Sequence, residues 1–333
     1  MQLLWRIWVY KMIPTTTEHI PVLVNEVLKF LQVRKGGCYV DCTLGLGGHS
    51  EQILSQLDGT GQLIALDWDQ SAVGKAIGRL GNRHENLQLL HESFKNLPEV
   101  LNDLQVDALD GCLMDLGVSS LQLDSPKRGF SFQQEGPLDM RMDHRAKTTA
   151  ADVINQFSGE DLADIFYRYG EEKAAKKIAS VLIERRRISP ILTTTELSQI
   201  IKEVKGKGRS RIHPATKVFQ ALRIEVNAEL AELDTVFQVV ISTLKPGGRM
   251  VVISFHSLED RITKNVFRRA AGRCICFRPR PLCNCPRITQ VKFLTRRPVT
   301  PSNQEVVENP RARSAKLRAL EKVDHGKLRS TQW

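Results

Sequence analysis

Apolar and polar positions come in blocks along the first third of the chain, and the blocks read as strands followed by helices. Residues 38–43 (CYVDCT) form a short β-favouring run that ends in the glycine turn Gly45-Leu46-Gly47-Gly48. The next stretch, HSEQILSQL, sets Ile53, Leu54 and Leu57 on one face at helical spacing. After a Gly-Thr-Gly break at 59–61 comes a second apolar run, QLIALD, ending at Asp67. A helical stretch near 70–80, the run NLQLLH, a helix near 94–104 and the run ALDGCLMDLG complete the series. Strands and helices alternating in units this short predict a parallel sheet with right-handed crossovers.

The rhythm then breaks. Asp115 and the next strand-like run, RMVVISF from Arg249, are 134 residues apart, whereas a crossover with its helix needs only about 30. The surplus predicts an insertion. Helical patterns fill it: DLADIFYRYG, EEKAAKKIASVLIERRR and TTTELSQIIKEVK, punctuated by Pro190, Gly206 and Gly208. A last helical stretch, 214–244, stops at Lys245-Pro246-Gly247-Gly248 before the strand. The expected fold is therefore α/β, a doubly wound Rossmann-like domain over residues 18–122 and 220–333, with a helical domain, 123–219, inserted after the fourth strand. Residues 1–17 stand apart as an N-terminal extension expected to be disordered. Their opening, MQLLWRIWVYKM, is too short and too charged to span a bilayer and lacks a small-residue cleavage pattern.

Composition narrows the class. With 41% hydrophobic and 26% charged residues among 333, collagen-like, coiled-coil and disordered chains are excluded. No uncharged apolar run approaches the roughly 18 residues of a membrane span, so no membrane partner is expected. The net charge of +11 points to a polyanionic partner, and it is unevenly placed. Residues 264–333 hold 17 Lys+Arg against 4 Asp+Glu, so the chain before them is close to neutral. Seven cysteines, an odd number without a secretory signal, read as reduced thiols in a cytoplasmic protein. Four of them, Cys274-x-Cys276 and Cys283-x-Cys285, pair closely enough for a tetrahedral zinc site. The alternative is a proline-rich loop with reduced thiols, and no metal is assigned.

The candidate chemistry sits at the carboxyl ends of the strands, where open α/β sheets bind ligands. The glycines after the first strand let the backbone approach a ligand, and the helix that follows favours polar or anionic groups. Asp67, 20 residues beyond Gly47, is placed to accept hydrogen bonds from ribose hydroxyls. Loop and acid together indicate a nucleoside-bearing cofactor without choosing between NAD and S-adenosylmethionine. Beyond the third and fourth strands, Phe94 can cover an adenine face, while Asp115 and Gln122 can bond polar groups of the cofactor. The plainer readings are a core phenylalanine and a capping aspartate.

At these residues the chain resembles the ribosomal small-subunit RNA methyltransferase H family. The blocks that carry the resemblance are EHIPVLVNEVL (18–28), VDCTLGLGGHS (40–50), MDLGVSSLQLD (114–124), RGFSF with PLDMRMD (128–143), FQALRIEVNAEL (219–230), GGRMVVISFHSLEDR (247–261) and NPRARSAKLRALE (309–321). They stand in the family's order and span nearly everything from Glu18 to Glu321. The resemblance implies an S-adenosylmethionine-dependent methyltransferase domain that methylates the exocyclic N4 of a decoding-centre cytidine in 16S rRNA. It also implies that Gly47, Gly48 and His49 contact the cofactor, that Asp67 holds its ribose, and that Phe94, Asp115 and Gln122 complete the site. Lys217-Val218 departs from the Arg-Thr expected before FQALR, which keeps the charge but loses a bidentate fork.

Methyl transfer to N4 asks for positioning and for an acceptor on an N4 hydrogen, because the cytosine amine is a poor nucleophile. Asp115 or the backbone carbonyls of its DLGVSS loop are placed for this, and the general base is left unassigned. Asp139 in PLDMRMD and the Ser254/His256 pair are the other candidates, with a structural ion-pair cluster and a capping histidine as their plain alternatives. The Arg185-Arg186-Arg187 run and the basic stretch from Lys202 to Arg211 are expected either to bind phosphates or to form a solvated face. Arg278, Arg280, Arg296, Arg297, Arg311, Arg313, Lys316 and Arg318 are expected to belong to an RNA phosphate track. DLGVSS is not the Asp/Asn/Ser-Pro-Pro-aromatic motif of DNA amino-methyltransferases, so no DNA partner is expected. A non-catalytic RNA-binding protein of the same fold is the remaining alternative.

Overall fold

The computed structural model describes residues 20–81, 85–206, 213–276 and 288–324. Helix α1 (Val24–Leu31) leads into β1 (Cys38–Asp41), and then helices and strands alternate: α2 (Gly48–Leu57), β2 (Gln62–Asp67), α3 (Gln70–Ala76), β3 (Leu87–His91), α4 (Leu97–Asp103) and β4 (Leu109–Asp115). Seven helices follow: α5 (Ser120–Asp124), α6 (Ala150–Gln156), α7 (Gly159–Arg168), α8 (Ala175–Arg186), α9 (Thr194–Lys205), α10 (Thr216–Asn227) and α11 (Leu233–Thr243). The chain closes with β5 (Leu244–Ser254), α12 (Ser257–Ala270), β6 (Val291–Phe293), α13 (Asn303–Glu308) and β7 (Lys316–Lys322).

The fold is α/β, as the alternation predicts. One sheet runs β3-β2-β1-β4-β5-β7-β6. The first five strands are parallel, and β7 lies antiparallel to both β5 and β6. The strand order reverses between β1 and β4, which opens a crevice at their carboxyl ends. Parallel strands covered on both faces read as continuous apolar runs, and 63–66 and 112–114 are buried without alternation.

Two features differ from the sequence expectation. Lys245-Pro246-Gly247-Gly248 does not stop the chain ahead of the strand: Leu244 already pairs with Leu109, and a bulge carries the register on to Arg249 opposite Gly111. The basic C-terminal segment also contributes two strands, so residues 291–322 complete the sheet rather than extending from it.

Helices α6 to α10 bury an apolar cluster of their own, in which Phe166, Ile178, Leu182, Leu197, Ile201 and Leu222 are almost wholly enclosed, while α11 packs into the sheet core. Ala221 and Leu222 belong to it, so α10 runs through position 220 without interruption. Caps fix where these helices begin: Thr149 and Asp152 form a reciprocal box at α6, and Ser158 and Thr193 accept from backbone amides at α7 and α9. Ile178→Val in this cluster is expected to cost about 0.5–1.5 kcal/mol. Hydrogen exchange should show the loosening in α7–α10 and leave β1–β4 unchanged. Trp68 packs against both this cluster and the sheet core, and so joins the two.

Candidate active site

Three carboxylates stand at the carboxyl ends of neighbouring strands: Asp41 on β1, Asp67 on β2 and Asp115 on β4. Asp41 is fully buried and structural. Its Oδ2 accepts from Ser50 Oγ at 2.7 Å and its Oδ1 from Thr43 N at 3.1 Å, while Thr43 Oγ1 accepts from Asp115 N at 2.6 Å. Asp41 therefore ties the loop after β1 to the loop after β4. Burial raises its pKa, against the lowering effects of Ser50, His49 and Thr43.

Asp67 shapes the glycine loop. Its Oδ2 accepts from Gly45 N at 2.8 Å and its Oδ1 from Asp69 N at 2.9 Å. Each oxygen keeps a lone pair for a further donor. Burial pushes its pKa up to about 6, although both backbone donors pull it down. Gly47 lies in the left-handed region at φ 80. A Cβ on Gly48 would lie 2.6 Å from the Pro21 ring, so no side chain fits where the loop enters α2.

His49, on the first turn of α2, points at Asp115: Nε2 and Asp115 Oδ2 are 3.6 Å apart. Both ring nitrogens of His49 and Asp115 Oδ1 are buried and have no hydrogen-bond partner. Unsatisfied buried polar atoms at a strand-end crevice are what a bound polar ligand satisfies. Phe94 is 6% exposed and meets Trp68 with ring centroids 5.4 Å apart, so the two form one wall.

Gln122 is occupied differently from expectation. Its Oε1 accepts from Ser119 N at 3.0 Å and its Nε2 donates to Asp69 Oδ2 at 2.9 Å, which leaves one N–H to offer a ligand. Asp69 was not nominated by the sequence, nor was Arg128. Arg128 bonds Asp69 Oδ2 at 2.7 Å and carries the carbonyls of Arg141 and Met142 at 2.9 and 3.0 Å. The available signal was the LDWD string itself, in which a second carboxylate follows the strand-end acid by two residues.

The other candidates fall into structural roles. Asp139 accepts from the Arg141 guanidinium at 2.8 and 2.9 Å and from Arg141 N at 3.0 Å; burial raises its pKa, but Arg141 outweighs burial and leaves it lowered, which suits an ion pair rather than a base. His256 precedes α12, with Nε2 3.0 Å from Glu259 Oε1. Glu229, His256 and Glu259 converge like metal ligands, yet Arg223 bonds Glu229 at 2.7 and 2.8 Å and supplies the positive charge. Cys274 Sγ and Cys276 Sγ are 3.0 Å apart; Cys283 and Cys285 lie outside the described residues.

Much of the basic sequence is also engaged. Arg185 pairs with Glu203 at 2.8 Å, and Arg186 bonds the carbonyl of Ile154 at 2.6 Å. Arg318 is held by Asp260 at 2.6 Å, and Arg311 meets Asp124. Arg296, Arg297 and Arg313 remain exposed, while Arg278 and Arg280 lie outside the described residues. Lys217 Nζ bonds the carbonyl of Glu171 at 2.6 Å. No helix among the described residues is long and apolar enough to cross a membrane.

The sequence signature of the MraW methylase family matches residues 16–323. The chain belongs to that family. Its relatives include a Ribosomal RNA small subunit methyltransferase H of Carboxydothermus hydrogenoformans, 49% identical over 92% of this chain and 98% of the relative. Another, of the same name, from Pelobacter propionicus, is 51% identical over 92% of this chain and 99% of the relative. A third, from Caldicellulosiruptor saccharolyticus, is 47% identical over 92% and 99%. The cofactor of this methylase is S-adenosylmethionine, and the chain's residues fit it: a loop stripped of side chains at Gly47 and Gly48, a buried acid with free lone pairs, and three unsatisfied polar atoms beside them.

If Asp67 takes the ribose hydroxyls, as the sequence leads one to expect, it accepts from both most strongly while ionised. With its pKa at about 6, the affinity for S-adenosylhomocysteine is expected to fall about tenfold per pH unit below that value. Calorimetry at pH 7, 6 and 5 checks the slope, which Asp67→Asn should abolish. Folding of the empty protein has the opposite sign: a raised carboxyl pKa contributes stability at low pH that is lost as pH rises through 6.

Proposed function

We propose that the protein transfers the methyl group of S-adenosylmethionine to the exocyclic N4 of a decoding-centre cytidine in 16S rRNA, acting in the cytoplasm on an assembled small-subunit particle. The cofactor supplies an electrophilic methyl group when bound. Gly47 and Gly48 give it backbone contact, His49 and Gln122 offer polar contact, Asp67 takes the ribose hydroxyls, and Phe94 with Trp68 covers the adenine. Asp115 holds the target amine in line as the acceptor of an N4 hydrogen. The helices of 123–219 form the second wall of the cleft, and the exposed Arg296, Arg297 and Arg313 meet phosphates. The target base must be unstacked to enter.

The observation that carries this reading is the buried Asp115 Oδ1, unpartnered beside the glycine loop and the Asp67 carboxylate. The names of the relatives supply the RNA. The test is incubation of the full chain with methyl-labelled S-adenosylmethionine and small subunits lacking the modification, followed by nucleoside analysis. Label on N4-methylcytidine is expected. Label on another nucleoside, on DNA alone, or on nothing would overturn the reading.

A further inference from the structure

His49 was expected only as a cofactor contact, but its surroundings fit a second task. The ring is 7% exposed, and neither nitrogen has a hydrogen-bond partner. Its nearest charged neighbour is Asp115, with Nε2 and Oδ2 3.6 Å apart. Asp115 thereby divides its carboxylate: Oδ2 faces the imidazole, while Oδ1 is buried with no partner. The backbone of Asp115 is fixed by Thr43, and Thr43 by Asp41, so the carboxylate sits on a rigid base. The ionisable groups facing the ring are Asp115 from β4 and Asp41 from β1. The imidazole thus lies against a carboxylate oxygen with a ring nitrogen that no other group among the described residues uses.

We propose that His49 is the proton acceptor behind Asp115 in the transfer step, in addition to any contact with the cofactor. This rests on the amine-methylation reading above. The N4 lone pair forms the new N–C bond, and the S–C pair returns to sulfur, leaving a neutral thioether. N4 then carries the methyl group, two hydrogens and a positive charge. One of those hydrogens leaves as a proton to Asp115 Oδ1. Rotation of the carboxyl group brings that proton to His49 Nε2, and water removes it from there. Asp115 touches the reacting amine; His49 acts through it, and restores the carboxylate that the next turnover needs.

Multiple-turnover transfer to small subunits, with cofactor and subunits both saturating, is compared for the unaltered protein, His49→Gln and His49→Ala, alongside calorimetric affinity for S-adenosylhomocysteine and thermal melts. His49→Gln is expected to lower the rate at saturating cofactor by about a hundredfold, a loss that further cofactor does not recover. Added imidazole is expected to restore at least part of the lost rate to His49→Ala and to leave the unaltered protein unaffected. An unchanged saturated rate with weakened affinity would reduce His49 to a cofactor contact and overturn the proposal. A lost rate that imidazole does not relieve, with a lowered melting temperature, would assign it a structural role and overturn the proposal equally. If the unaltered protein itself labels no N4-methylcytidine, the function reading falls first and the proton path with it.

Discussion

Arg128→Met is expected to destabilise the protein by about 3–5 kcal/mol, the cost of removing one partner from a buried ion pair. The pair is nearly dry, with side chains 9% and 1% exposed at Arg128 and Asp69. Without the guanidinium, Asp69 keeps Ser71 N at 2.9 Å and Gln122 Nε2 at 2.9 Å but loses its only cation among the described residues. The carbonyls of Arg141 and Met142 lose their donor in the same step. Those carbonyls belong to the PLDMRMD loop, which Asn227 also grips through Met142 N at 2.7 Å and the Met140 carbonyl at 2.8 Å. The damage should therefore reach function. Asp69 N donates to Asp67 Oδ1, so a displaced Asp69 should also weaken cofactor binding. Denaturant unfolding gives the stability change. The double variant Asp69→Asn/Arg128→Met should recover part of it, because no charge is then left buried and unpaired. Equal losses in the single and double variants would mean that the carbonyl contacts, not the ion pair, carry the stability.

This hub marks the boundary of what the sequence makes legible. Strands β1, β2 and β4 are readable because both of their faces are covered, so their apolar runs need no partner to be recognised. Asp67 is readable for a similar reason: its distance from the glycine loop is fixed by one local crossover. Asp69 and Arg128 are 59 residues apart and meet only because the chain between β4 and β5 folds back onto the end of β2. No periodicity records such a meeting. Charge runs mislead for the same physical reason. Arg185, Arg186 and Arg318 look like phosphate ligands in a string of letters, but each finds a carboxylate or carbonyl once the helices pack. The bulge in β5 is also invisible locally, because Pro246 and two glycines read as a stop until β4 supplies a pairing partner. Trp68 is not legible in the sequence because it serves two cores at once, and neither core alone defines its position.

Gly48→Ala tests the other end of the site, where the argument is steric rather than electrostatic. The added Cβ would fall 2.6 Å from Pro21 Cγ, with Pro21 Cβ and Cδ at 3.2 and 3.3 Å. A proline ring has no rotamer in which to withdraw. The segment that carries it is pinned from the far side, with Leu23 N bonded to Glu305 at 2.7 Å and Asn309 Nδ2 to the Ile20 carbonyl at 2.9 Å. Relief must therefore come from the start of α2, which shifts Gly47 and His49 from the positions proposed to meet the cofactor. Overpacking of this kind costs about 1–3 kcal/mol. If the cost appears in binding, affinity for S-adenosylhomocysteine should fall about 5- to 150-fold. Gly47→Ala meets a different obstacle: its neighbour at 2.6 Å is the end of the flexible Leu80 side chain, so the strain there lies in the backbone at φ 80. The two are separated by a suppressor. Pro21→Ala removes the ring atoms Cγ and Cδ that crowd Gly48, so it should restore binding to Gly48→Ala and do nothing for Gly47→Ala. Restoration of both, or of neither, would show that the close approach of Pro21 is not what keeps a glycine at position 48.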